Sequence, residues 1–139
     1  MNWRKKVPRR SKTASLNTTD TRAYAAKAEE YLEAAKQDLK DGRYNAAASA
    51  AVHAGINAGD AITGALRGMR SADADHGRAI DLLDSSGKEG KEASRQLARL
   101  IPLKTKAEYD PGTVPRSKAG SAVKSASRLI EIARRLTTS

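Results

Sequence analysis

The stretch Tyr44 to Arg67, YNAAASAAVHAGINAGDAITGALR, limits the fold more than any other, because it is helix-patterned and apolar on most of its circumference. A helix with so little polar surface belongs in the middle of a bundle. Ala47, Ala48, Ala51, Gly55, Ala58, Ile62, Ala65 and Leu66 recur at the three-and-four spacing of one face. Nearly all are small, so a neighbouring backbone can approach closely. The glycines each cost up to ~1 kcal/mol of helix propensity against alanine, a loss that close packing offsets. Val52, Ile56, Gly59 and Thr63 form a second apolar line that needs another partner. Between the lines runs a polar seam of His53, Asn57, Asp60 and Arg67. Buried polar groups must find partners, so the seam is read as structural, within one bundle or across an interface between two copies.

The rest of the chain supplies neighbours for that helix. At 139 residues it is one domain by length, without cysteine for disulfides or thiolate metal sites. Phenylalanine is absent and aromatics make up 4%, which suits closely packed helices better than a sheet sandwich. A first helix starts near Asp20, where Thr18, Thr19, Asp20 and Thr21 offer capping oxygens, and ends at Asp41-Gly42. Tyr24, Ala28, Tyr31, Leu32, Ala35 and Leu39 are its apolar stripe. After Gly68 comes a short helix that Asp73 would cap, with His76 in its first turn. A fourth helix runs from about Lys88 until Pro102 kinks or ends it, placing Lys104 and Lys106 just beyond. The last opens at Pro115 and buries Ala119, Ala122, Val123, Ala126, Leu129, Ile130, Ala133 and Leu136. The expected fold is all-α, an up-and-down antiparallel bundle of four long helices plus one short one.

The net charge is +10, from 26 Lys and Arg against 16 Asp and Glu, and favours polyanionic partners. Residues 1 to 18 hold Arg4, Lys5, Lys6, Arg9, Arg10 and Lys12 around a proline with no periodicity, and read as a flexible basic arm before a bundle spanning 19 to 139. Removing those six charges leaves +4 on the bundle, so the charge argument for nucleic acid rests mostly on the arm. No apolar run approaches the ~20 residues of a membrane span and no signal-peptide core opens the chain, so a cytoplasmic protein without a membrane partner is expected.

The sequence holds no phosphate-binding glycine loop, no His-Glu-x-x-His and no carboxylates at metal-ligand spacing, so neither a cofactor nor a metal is expected. Acid–base work near neutral pH therefore falls to His53 or His76. His76 is favoured because it sits at a loop-helix junction with Arg70 six positions earlier. A neutral imidazole beside a guanidinium can take a proton from a ribose 2′-hydroxyl while the cation neutralises the phosphorane, which cleaves RNA without metal.

YNAAASAAVHAGINAGDAI, DHGRAIDLL, LARLIPLKTKAEYD and the alanine-spaced last helix together resemble the HEPN domains (higher eukaryotes and prokaryotes nucleotide-binding) over about residues 20 to 136. The resemblance implies a helical bundle that commonly dimerises. In many members it also implies a metal-independent endoribonuclease whose signature is Arg, four to six residues, then His. Arg70 to His76 matches that spacing, with polar Ser71 after the arginine. In the ribonuclease members the motif usually opens a long helix later in the chain, and some carry a tyrosine two residues after the histidine, where this chain has Arg78. The resemblance further implies RNA as ligand, with Lys104, Lys106 and the arm as contacts, and a toxin or defence role with a nucleotidyltransferase-type antitoxin as partner. The alternative is a non-catalytic dimerisation or partner-binding module.

Deleting residues 1 to 18 should flatten the salt dependence of RNA binding, measured as the log–log slope of affinity against salt. Unchanged binding at low salt would make the arm a solubilising tail.

Overall fold

The computed structural model describes residues 12–138. Arg4, Lys5, Lys6, Arg9 and Arg10 lie outside them. The elements in order are β1 (Thr13–Ser15), α1 (Thr18–Lys40), α2 (Tyr44–Arg67), β2 (Met69–Ser71), α3 (His76–Asp84), α4 (Gly87–Glu108) and α5 (Arg116–Thr137). The architecture is the all-α bundle that the periodicity predicts, four long helices and one short, with α1, α4 and α5 packed around α2.

α2 occupies the central place because its small residues let three helices reach it. Ala47, Ala48, Ala51, Ala54, Ala58 and Ala61 are fully buried. At Gly55 the missing Cβ leaves room for the methyls of Leu97 and Leu100 from α4 and of Leu129 from α5. A three-residue link through Gly42, whose φ of +78° suits glycine, turns α1 back antiparallel to α2. The bidentate pair of Arg134 with Glu29 ties α5 to α1. The loop before α5 is fixed to the start of α2, where Val114 N–H donates to Asn45 Oδ1 at 2.7 Å.

Four local expectations need correction. The C-terminal part of the basic arm is structured: β1 pairs antiparallel with β2, setting Thr13 against Ser71, Ala14 against Arg70 and Ser15 against Met69. Three residues are too few to show a strand's alternation in sequence. α1 is capped by Asn17, whose Oδ1 accepts from Asp20 N–H at 2.7 Å, rather than by the threonines after it. Asp75 caps α3, its Oδ1 accepting from Gly77 N–H at 2.9 Å, while Asp73 Oδ1 holds Asp75 N–H at 3.1 Å. Lys104 and Lys106 lie within α4, which continues through Pro102. Pro102 and Ala98, the residue whose carbonyl loses its helical donor, are both exposed, so water satisfies that carbonyl and the break is local.

Two glycine substitutions separate packing from propensity. A Cβ at Gly90 of α4 would meet the Leu83 carbonyl oxygen and lie 2.8 Å from Ser86 Cβ, whereas nothing lies within 4 Å of one at Gly120 of α5. Gly90→Ala should lower stability by ~1–3 kcal/mol and Gly120→Ala raise it by ~0.5–1 kcal/mol, read from chemical denaturation. A Gly90→Ala variant stabilised to the same extent as Gly120→Ala would refute the α3–α4 contact.

Candidate functional site

Two aromatic side chains, Tyr24 and Tyr31, stand two turns apart on α1 and are half-buried on the side that meets α2. Each has a polar partner. Tyr31 stacks on His53 of α2, ring centroids 5.3 Å apart and planes 29° from parallel. The Arg70 guanidinium lies over the Tyr24 ring, 5.6 Å from its centroid, and Arg70 Nη1 donates to the Ser71 carbonyl at 3.1 Å. Pairing of Arg70 opposite Ala14 in the small sheet fixes the backbone beneath that guanidinium. Asp60 of α2 feels the charge of Arg70. His53 and Asp60 are also two turns apart, ~10 Å along the axis, so the open face carries two polar rungs.

The His53 rung continues into α3 and α4. His53 Nε2 is 3.3 Å from Glu108 Oε1, and 39% of the His53 side chain is exposed. Lys104 Nζ lies 3.5 Å from Glu108 Oε2, and Ser49 Oγ donates to Glu108 Oε1 at 3.3 Å. Burial of the Glu108 carboxyl opposes its ionisation. The charge and hydrogen bond of Lys104, with His53 and Ser49, outweigh that and hold its pKa below the usual 4.5. Lys104 Nζ also lies 5.9 Å from the ring centroid of Tyr109, which is 72% exposed.

His76 opens α3 beside this network and is half-buried. Burial lowers its pKa from the ordinary 6.5, and the charge of Lys104 adds to that; Asp75 and Glu108 pull upward, and His53 lowers it further. The start of the helix dipole favours the same neutral form. His76 is thus a proton acceptor at neutral pH, within electrostatic reach of a second imidazole and an ammonium.

This arrangement redistributes the residues singled out in the sequence. Arg70 and His76 belong to different rungs: the charges acting on His76 are those of Lys104, Asp75, His53 and Glu108. The polar seam of α2 divides as well. Asn57 is buried, its Nδ2 donating to the His53 carbonyl at 2.8 Å, whereas Arg67 is exposed and its Nη1 reaches the Ser85 carbonyl at 3.4 Å and Oγ at 3.3 Å. At ~100° per residue Asn57 sits ~40° to one side of His53 and Arg67 ~40° to the other, enough to send one inward and one out. Lys104 joins the site. Lys106, two residues on and so on the far side of α4, does not share its contacts. Tyr31, expected only as part of an apolar stripe, joins the site together with Ser49 and Glu108. Only the seven-residue spacing of Tyr24 and Tyr31 hinted at a shared face, and core packing explained it equally well. Among the described residues no three His, Asp or Glu side chains cluster as a metal site.

The family model described as HEPN domain matches residues 21–136. No curated protein matches the chain. Among the described residues no helix is long and apolar enough to cross a membrane.

Asp60 gives a pH test of the second rung. Burial pushes its pKa from 3.8 up to about 6, against the lowering effect of Arg70. A carboxyl with a higher pKa folded than unfolded stabilises the fold while the folded form is protonated, and that contribution is lost as pH rises from about 4 through about 6. Asp60→Asn should therefore raise the thermal midpoint at about pH 7.5, the stability gain being at most ~3 kcal/mol, and converge on wild type near pH 4. A lower midpoint for the variant at about pH 7.5 would show that the Asp60 charge stabilises the fold through Arg70.

Proposed function

Because the chain belongs to the HEPN domain family, we propose that it binds RNA and cleaves it without metal, using the His53 rung as the reacting centre. The observation that carries this reading is His76, kept neutral by burial and by Lys104 and set beside a second histidine on an open face. His76 takes the proton of a ribose 2′-hydroxyl. The 2′-oxygen then forms a bond to phosphorus as the bond from phosphorus to the 5′-oxygen breaks, and protonated His53 delivers a proton to that leaving oxygen. Lys104 faces the charge that builds on the phosphorane. The products are a 2′,3′-cyclic phosphate and a 5′-hydroxyl, with protons and charge balanced between the two imidazoles.

Arg70 has a different part in this proposal. Its position over the Tyr24 ring and its charge interaction with Asp60 set it at the other rung, suited to a neighbouring phosphate or to the site of a second copy. Tyr24, Tyr31 and Ile56 are half-buried on this face, and a homodimer closing over it would bring two sets of rungs together. A toxin or defence role in the cytoplasm, with a nucleotidyltransferase-type antitoxin, is part of the same reading and rests on the family. The His53–Glu108–Lys104 network favours a second reading, because a carboxylate that already neutralises Lys104 and holds His53 is also what a non-catalytic partner-binding module would carry.

Purified protein incubated with single-stranded RNA and a chelator should cleave it, and His76→Ala should slow cleavage at least ~100-fold with the thermal midpoint close to wild type. His53→Ala should also lose activity with little change in stability, since the ring is partly exposed and its partners stay solvated. Wild type that leaves RNA intact would decide for the non-catalytic module. On light scattering the chain should show twice its 14.9 kDa mass; a monomer at high micromolar concentration would rule out the dimer.

A further inference from the structure

The charge of the described fold is unevenly placed. α5 carries Arg116, Lys118, Lys124, Arg128, Arg134 and Arg135 against the single acid Glu131, whereas α1 carries five acids against four cations. Part of the α5 charge borders a groove of ≈ 490 Å³ between α4 and α5, to which α4 contributes Arg99, Pro102 and Leu103. Lys118, Lys124 and Arg128 line it from α5, with the hydroxyl of Ser121 between them. Among the described residues no carboxylate lines this groove. All four cations are exposed, and among the described residues none of them is in an ion pair, in contrast to Arg43, Arg95, Lys104 and Arg134.

We infer that this α4–α5 groove is a track for the phosphate backbone of single-stranded RNA, which leads to the His53 rung across α4. The identity of the polyanion rests on the function proposed above; the track itself rests on the unpaired cations. Lys118 and Arg128 are ten residues apart on one helix, ~15 Å along its axis, which spans several phosphates rather than one. Exposed Pro102 and half-buried Leu103 provide an apolar floor for sugars and bases. A protein partner would need large apolar or aromatic anchors, and the groove lining includes no aromatic side chain. Leu103 lines the groove and its neighbour Lys104 belongs to the His53 rung, so a strand leaving the groove over α4 arrives beside His76.

The test uses the full chain and a fluorescent 2′-O-methyl RNA, which lacks the hydroxyl proton and stays intact. Wild type, His76→Ala and the double variant Lys124→Gln with Arg128→Gln are compared by anisotropy across a salt series, with helical signal as a folding control. The double variant should bind about tenfold more weakly at low salt and its log–log salt slope should shrink by about 1.4, the share of two phosphate contacts on a single strand. His76→Ala should bind within about twofold of wild type. A double variant with wild-type affinity and slope overturns the track while leaving cleavage by His76 standing. Groove-dependent binding by a wild type that cleaves no RNA keeps the track and removes the catalytic reading. No RNA binding by wild type, or displacement of RNA by a poly-glutamate peptide with higher affinity, overturns the track in favour of an acidic protein partner.

Discussion

Close packing around a helix with almost no large side chains is the constraint on which the structure depends. α2 is lined with fully buried alanines, and the leucines that fill the space beside it come from α4 and α5. Small side chains bring backbones near and lose little rotamer freedom on burial, so three helices can share one axis at modest entropic cost. The same economy leaves one side of α2 incompletely covered. His53, Ile56 and Asp60 are all partly exposed there.

That open side is where polar chemistry is tolerated. A histidine fully enclosed by alanine would lose its hydration without gaining partners, whereas His53 at the edge keeps contact with water and with Glu108. Three other elements converge at the same height, two of them by their ends: the last turn of α4, the first residue of α3 and the middle of α1. Helix ends place charged groups precisely because their chains must turn there, and His76 and Glu108 both owe their positions to such ends. The second rung depends on a different device, the three-residue pairing of β1 with β2 that carries Arg70 to Tyr24.

Much of the fold was legible because its signals are periodic. The bounds of α2 follow from the apolar run and from Gly68, which adopts a left-handed φ of 66° that ends the helix. The path of α4 beyond Pro102 was not legible, since it depends on Pro102 and Ala98 lying exposed, a property of the packed molecule. The site was legible only in part. His76 could be found from its place at a helix start, but His53 read as core because a seam at helical spacing does not reveal which ~40° of rotation meets solvent. Glu108 lies 55 residues from His53 in the chain, and nothing local links the two.

The central claim is that His76 is a neutral base whose proton affinity is set by burial and by Lys104. Its imidazole titration by NMR, in wild type and in Lys104→Ala, tests this most directly. The account predicts a His76 midpoint below 6.5 in wild type that moves upward when the Lys104 charge is removed. A midpoint at or above 6.5 that does not respond to Lys104→Ala would contradict it.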